Sequence, residues 1–79
     1  MTETTTGEIV SRQVGKIPQT GKTYGYITVR TSDNEDIRIK IDASTDFETL
    51  KMGTEVRVEY ESFRDSDILV ARKVNSSSD

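Results

Sequence analysis

The sequence contains no cysteine, no histidine and no tryptophan. Without cysteine the chain cannot form a disulfide bond or a thiolate metal site, so its hydrophobic core must hold the fold by itself. Without histidine it lacks a common zinc ligand and the usual general base at neutral pH. These absences argue against most hydrolytic and redox enzymes. We expect a protein that is not an enzyme and that binds no cofactor.

Long apolar runs are absent as well. No segment approaches the roughly 18 consecutive apolar residues of a membrane-spanning helix. The N-terminal MTETTTGE has neither the basic flank nor the apolar stretch of a signal peptide. We therefore expect a monomeric, cytoplasmic protein without membrane contact, and its 79 residues are enough for one small domain.

The net charge of −3 argues mildly against a general polyanion binder, but the charges are unevenly distributed along the chain. Between residues 12 and 41 six basic residues accompany three acidic ones, whereas between residues 42 and 67 eight acidic residues accompany three basic ones. A nucleic-acid-binding face would have to lie in the first segment, and the acidic second segment suits a protein partner. The alternative is an ordinary solvated surface with charges of both signs.

Hydrophobic residues recur mainly at every second position, which is the period of a half-buried β-strand. In DIRIKI the isoleucines at 37, 39 and 41 alternate with Arg38 and Lys40. Comparable segments are GEIVSRQV, YGYITVR, TEVRVEY and DILVARKV at residues 7–14, 24–30, 54–60 and 67–74. Five short strands without helical periodicity predict an all-β protein. We expect a small five-stranded OB-like barrel, because closure removes exposed strand edges.

We expect this barrel to span residues 7–74. The polar, aperiodic ends at residues 1–6 and 75–79 predict short disordered tails. Residues 42–54 form the longest link between predicted strands, and we expect one irregular helical turn there.

Two carboxylate clusters, DNED at residues 33–36 and DSD at residues 65–67, could attract a hard cation. Neither supplies the spaced ligands and the glycine of a calcium-binding loop. Both fall between predicted strands, where Asp and Asn favour turns through hydrogen bonds to their own backbone. We interpret both clusters as turns and expect no metal site.

The segment GKIPQTGKTYGYITV, residues 15–29, fits two different functions. Gly15 followed by Gly-Lys-Thr at residues 21–23 resembles a phosphate-binding loop. That loop needs four residues between its first glycine and the Gly-Lys-Thr, and it must open a helix. Here five residues intervene and a predicted strand follows, so we reject a nucleotide hydrolase.

The second possibility is that this strand stacks nucleic-acid bases. Tyr24 and Tyr26 point outward if Ile27 points inward, and side chains two residues apart on a strand are about 6–7 Å apart, which suits two bases. Gly25 between them lets the barrel wall curve. Each stacked base contributes roughly 1–3 kcal/mol. The cations expected to bind phosphates are Lys22, Arg38 and Lys40, with Arg12, Lys16 and Arg30 as peripheral contributors.

Several segments resemble the cold-shock domain, an OB-fold family that binds single-stranded nucleic acid. GEIV at residues 7–10 is similar to its first strand, and KTYGYI at residues 22–27 is similar to its first ribonucleoprotein motif. DFETLKMGTEVRVEY at residues 46–60 and VARKV at residues 70–74 are similar to its fourth-strand region and its closing strand. The resemblance implies an OB barrel that binds single-stranded RNA or DNA, with Phe47 as a loop aromatic that contacts bases. The alternative for Phe47 is a loop residue that packs beside Leu50 and caps the barrel.

The sequence departs from that family at the binding face. Arg38 and Lys40 stand where the family's second motif has an aromatic residue and a histidine, and Ser11 replaces an expected tryptophan. Fewer stacking groups and more cations predict weak, salt-sensitive and sequence-tolerant binding. The family implies RNA chaperoning or a role in translation or transcription. The alternative is an OB barrel that binds proteins and no nucleic acid, with its tyrosines serving only as strand formers.

Overall fold

The computed structural model describes residues 2–62 and 67–77, which form strands, turns and loops without a helix. The strands are β1 (Glu3–Lys16), β2 (Thr23–Thr31), β3 (Asp36–Ile41), β4 (Asp46–Phe47), β5 (Glu55–Ser62) and β6 (Leu69–Ser76). Consequently this part of the chain holds no helix long and apolar enough to cross a membrane. The helical turn expected between residues 42 and 54 is not formed, because β4 and two turns occupy that link.

The five long strands close into a barrel. Their order is β3-β2-β1-β5-β6 with antiparallel neighbours, and β6 returns to β3 through a parallel pairing of Val70 with Lys40. The short β4 pairs in parallel with β6, Phe47 being opposite Val74. Closure pairs strand edges that would otherwise be exposed. The prediction of an all-β, five-stranded barrel is confirmed.

Strand alternation places the aliphatic side chains inside this barrel. On β3, Ile39 and Ile41 have no exposed surface, whereas Arg38, which precedes Ile39, is exposed. Fully burying a side chain of this size contributes about 1.5–3 kcal/mol, so the inward row of each strand fixes which residues face outward. The buried core consists of Ile9, Ile27, Val29, Ile39, Ile41, Leu50, Val56, Val58, Ala71 and Val74.

Both ends of the barrel extend into the segments expected to be tails. β1 begins at Glu3, and its first residues pair with β5 from Glu3 opposite Tyr60 onward. β6 continues to Ser76, which is opposite Val56. The polar composition does not indicate these strand ends, because the backbone hydrogen bonds that pair them with β5 do not depend on the side chains. Residues 1, 78 and 79 of the expected tails lie outside the described residues.

The loop between β2 and β3 is the turn that the DNED cluster predicts. Asn34 has a φ of 62°, a left-handed conformation that asparagine tolerates. Its amide donates a hydrogen bond to the Thr31 carbonyl at 2.9 Å. No group of three or more carboxylates within residues 2–62 and 67–77 could hold a metal ion. Residues 65 and 66 of the second cluster lie outside this described part.

β1 and β2 extend beyond the barrel as a two-stranded hairpin. β3 pairs with β2 only as far as Gly25, and β5 pairs with β1 only as far as Glu8. Residues 12–24, here called the arm, project past these limits. A hydrogen bond from the Ile17 amide to the Lys22 carbonyl, 2.9 Å long, closes the arm near its tip.

Candidate nucleic-acid interface

Two tyrosines and two cations lie on the outer surface of β2 and β3. Tyr26 is opposite Lys40 in the ladder, and residues opposite each other in a ladder share a face. Tyr24 and Arg38 are each two residues away along their own strands, so they project from the same side. Tyr24 is 51% exposed, whereas Tyr26 is half-buried. These four residues are called the outer face below.

Arg38 packs on the ring of Tyr26. Its guanidinium carbon lies 4.2 Å from the ring centroid. Arg38 is opposite Thr28 in the ladder, so its contact with Tyr26 is a diagonal cross-strand pair. At this distance the cation is attracted to the negative face of the ring. Arg38 is exposed and thereby adds a flat, charged group beside the ring of Tyr26.

Two glycines lie where β1 packs against the part of β2 that carries the tyrosines. Gly25 has a φ of 138°, and a Cβ at this position would overlap the carbonyl oxygen of Gln13. Gly15 is opposite Tyr24, and a Cβ there would lie 3.7 Å from the tyrosine hydroxyl oxygen. The Tyr24 ring therefore lies across Gly15. The backbone packing between β1 and β2 requires glycine at position 25.

Lys22 lies immediately before β2, near the tip of the arm, and is exposed. The hydrogen bond between its carbonyl and the Ile17 amide fixes its backbone. Because Tyr24 follows two residues later, Lys22 belongs to the end of the outer face where the more exposed ring lies. It can extend the positive charge of Lys40 and Arg38 along the strand.

Arg30 lies at the opposite end of β2 and binds a carboxylate. Its Nε donates a hydrogen bond to Oδ1 of Asp36 at 2.9 Å, and its Nη2 donates one to Oδ2 at 3.3 Å. The hydrogen bond from Arg30 lowers the pKa of the Asp36 carboxyl, and the same pair raises the pKa of Arg30. Arg30, expected as a peripheral phosphate contact, is therefore distant from the tyrosines along β2. Its positive charge is balanced by Asp36.

Arg12 and Lys16 lie on the opposite side of the arm from the tyrosines. Gly15 is opposite Tyr24 and so shares the face of the tyrosines. Side chains alternate along a strand, so Lys16 projects to the other side, and Arg12 has the same parity as Lys16. The two cations expected as peripheral contributors are therefore not on the same face as the tyrosines.

Phe47 lies on the same side of the molecule as these two cations. Its backbone is held against β6, and its side chain is 38% exposed. Between the arm and the link that contains β4 there is a cleft of about 630 Å³. The residues of this cleft used below are Arg12, Val14, Lys16, Phe47, Leu50 and Lys51. The structure thus brings Phe47 together with Arg12 and Lys16, and not with Tyr24 and Tyr26.

Sequence reasoning missed two residues that border the outer face. Gln13 is opposite Tyr26, which the register of the hairpin could have indicated. Asp67 lines a shallow groove of about 250 Å³ beside Tyr26 and Arg38. No local pattern signals this acid, since its position depends on the closure of β6 against β3. Its negative charge opposes phosphate binding at that end of the outer face.

No protein-family model matches the sequence, and no curated protein is significantly similar to it. Among solved structures, the fold is similar to one described as the crystal structure of Ag(I)CusF, with a TM-score of 0.70. The two chains are 15% identical, and the match covers 98% of this chain and 99% of the other. At this identity the likeness concerns the fold alone.

Proposed function

We propose that this protein binds single-stranded RNA or DNA along the outer face. Tyr24 stacks one base, and the packed pair of Tyr26 and Arg38 stacks a second. The observation that carries the proposal is the gathering of two outward tyrosines and two cations on one face of β2 and β3. Proteins that bind single strands with little sequence preference combine aromatic platforms with positive charge in this way.

The strand order supports an OB barrel, the class that the resemblance to the cold-shock domain implies. β1 lies between β2 and β5, and a parallel pairing of β3 with β6 closes the barrel. In OB barrels the surface of the second and third strands binds oligonucleotides. The outer face is the corresponding surface here.

Arg38 takes a stacking role in this proposal, in place of the phosphate contact that the sequence suggests. Its guanidinium carbon already lies over the Tyr26 ring, 4.2 Å from the ring centroid, and arginine planes stack bases in RNA complexes. Lys22 and Lys40 then contact phosphates. Two stacked bases contribute roughly 2–6 kcal/mol before the cost of ordering the strand.

The silver ion in the description of the similar structure does not carry over to this chain. Soft cations are held by thiolate and thioether sulfur, and this sequence has no cysteine and only two methionines. Met52 is 55% exposed, and Met1 lies outside the described residues. The donor set does not suit a soft cation, so we propose no metal-binding function.

An NMR titration with hexathymidylate and hexauridylate tests the proposal. The amides of β2 and β3 around Tyr24, Tyr26 and Arg38 should shift. With two phosphate contacts, the logarithm of the binding constant should fall against the logarithm of the salt concentration with a slope of about −1.4. No shift at low salt, or an affinity that salt does not change, contradicts the proposal.

A pair of variants gives this experiment a matched control. The double substitution Tyr24→Ala and Tyr26→Ala should abolish the shifts while the rest of the amide spectrum stays folded, since neither ring belongs to the buried core. Phe47→Ala removes a different exposed aromatic ring, in the cleft, and should leave oligonucleotide binding unchanged. If the double tyrosine variant and Phe47→Ala lose equal oligonucleotide affinity, the bases do not bind specifically at Tyr24 and Tyr26.

A further inference from the structure

The strand β1 has an unpaired edge beside the cleft. At Ile9 this edge is occupied by Gly53 and Thr54, which lie in the link before β5. The Ile9 amide donates a hydrogen bond to the Thr54 carbonyl, and the Ile9 carbonyl accepts one from the Gly53 amide. Beyond that point, within the described residues, no strand pairs with β1 on the side away from β2. Residues 12–16 therefore present an open edge of extended backbone.

The hydrogen-bonding pattern of the arm indicates which backbone groups are available. The amide of Ile17 is directed at the Lys22 carbonyl of the paired strand. Backbone groups alternate in direction along a strand, so those of Arg12, Val14 and Lys16 point away from β2. These three residues are also the ones whose side chains line the cleft. The same three residues thus have backbone amide and carbonyl groups without a partner strand among the described residues and side chains that line the cleft.

The cleft has an apolar floor and a positive rim. Val14 and Leu50 contact the barrel core, and Phe47 remains 38% exposed above them. The cations Arg12, Lys16 and Lys51 surround this floor, and no carboxylate of the described residues forms an ion pair with them. The carboxylate of Glu48, also at the cleft, already accepts a hydrogen bond from the Ser76 amide at 2.8 Å.

We propose that the cleft binds an extended acidic peptide of a protein partner, which adds as a strand to the free edge of β1. Backbone hydrogen bonds to Arg12, Val14 and Lys16 would set the register of the peptide. Alternate side chains of an added strand face the same side, so an apolar one enters beside Phe47 and Leu50. Acidic side chains two residues before and after it project to the same side and meet the three cations.

A peptide fits these observations better than a nucleic acid does. An open strand edge offers alternating amide and carbonyl groups, which only another extended backbone matches along its length. A nucleic-acid strand has phosphate acceptors but no row of amide donors, so the carbonyls of the edge would stay unpaired. The inference does not depend on the proposed function of the outer face.

Fluorescence anisotropy with a labelled seven-residue peptide tests this inference on the full chain. The probe carries phenylalanine at its centre, glutamate two residues before and two residues after it, and valine at the remaining positions. It should bind, and a version with lysine in place of glutamate should not. A version with alternate amide nitrogens methylated on the edge-facing residues should also fail, since strand addition needs those donors. Equal binding of the methylated peptide would overturn strand addition.

Substitutions in the cleft and on the outer face distinguish the two binding sites. Arg12→Glu with Lys16→Glu should weaken the acidic peptide by about tenfold, since two attractive charge contacts become repulsive. Arg38→Glu should leave peptide affinity unchanged while it reduces oligonucleotide binding. Failure of the peptide to bind, with normal oligonucleotide binding, overturns the inference alone. Displacement of the peptide by an oligonucleotide, or cleft amide shifts with the oligonucleotide only, would assign the cleft to nucleic acid instead.

Discussion

The outer face and the cleft differ in what their positive charges accompany. On the outer face Arg38 and Lys40 stand beside tyrosine rings where β3 pairs with β2. In the cleft, Arg12 and Lys16 stand beside apolar side chains on the part of β1 that has no second partner strand among the described residues. Cations of similar chemistry therefore suit different partners, because their neighbours differ. Charge along the sequence does not reveal this distinction, whereas strand parity does.

Gly25→Ala should have the largest effect on stability, because it disturbs the packing of β1 against β2, on which both the outer face and the cleft depend. A Cβ at this position meets the Gln13 carbonyl and the Cα of Val14, and the φ of 138° is unfavourable for alanine. We expect a loss of about 3 kcal/mol in the free energy of unfolding, or about 15 °C in Tm. Thermal denaturation followed by circular dichroism measures it.

Gly21→Ala is the matched control for that substitution. Gly21 also has a positive φ, 71°, but nothing lies within 4 Å of a Cβ there. It should cost only about 1 kcal/mol, which is the backbone strain without the overlap. If the two variants are equally stable, β1 does not approach Gly25 of β2 as closely as described here.

Tyr24→Ala should weaken oligonucleotide binding by about 1–3 kcal/mol and leave Tm nearly unchanged. The ring is half exposed, lies across Gly15 and is not part of the buried core, so its loss removes a stacking platform without opening the core. Isothermal titration calorimetry with hexathymidylate measures the affinity. A large fall in Tm would mean that the ring stabilises the arm and that its exposure is incidental.

Arg38→Lys distinguishes a stacking role from a phosphate contact. Lysine keeps the charge but has no plane on which a base can stack. If the guanidinium stacks a base, Arg38→Lys and Arg38→Ala should both lose about 1 kcal/mol or more of oligonucleotide affinity. If Arg38 only neutralises a phosphate, lysine should restore most of what alanine loses. The same calorimetric titration decides between the two outcomes.

The inward rows of the barrel could be predicted from the sequence because alternation is a local pattern. Ile39 and Ile41 are buried as that pattern requires, and the same parity correctly turns Tyr24 outward. The positions of Phe47 and Asp67 could not be predicted. Phe47 is placed by the parallel pairing of β4 with β6, and Asp67 lines the groove beside Tyr26 through the closure of β6 against β3. Both pairings join residues distant in sequence, and no local period encodes them.

The link that forms one wall of the cleft is held by hydrogen bonds that depend on an ionised carboxylate. Asp42 accepts hydrogen bonds from the Ser44 amide at 2.9 Å and the Ser44 hydroxyl at 2.8 Å. The Thr45 hydroxyl donates to the Ala71 carbonyl at 2.6 Å and so anchors the link to β6. Partial burial raises the pKa of Asp42, but the hydrogen bonds from Ser44, with the nearby positive charge of Arg72, outweigh it and lower the pKa overall.

A carboxyl with a lowered pKa in the folded state stabilises the fold above its unfolded value and loses that contribution as the pH falls through the folded value. Stability should therefore decline below about pH 4, and amides of the link should exchange with deuterium faster there than amides of β2 and β3. This is the smallest of the expected effects, because Asp42 is partly solvated. Asp42→Asn keeps an acceptor oxygen without a titrating charge, so it should reduce the difference in exchange between the two regions as the pH falls. If the link of the variant still loosens with acid as much as the original, the wall of the cleft depends on other groups, such as Glu61, whose pKa Arg72 lowers through a hydrogen bond.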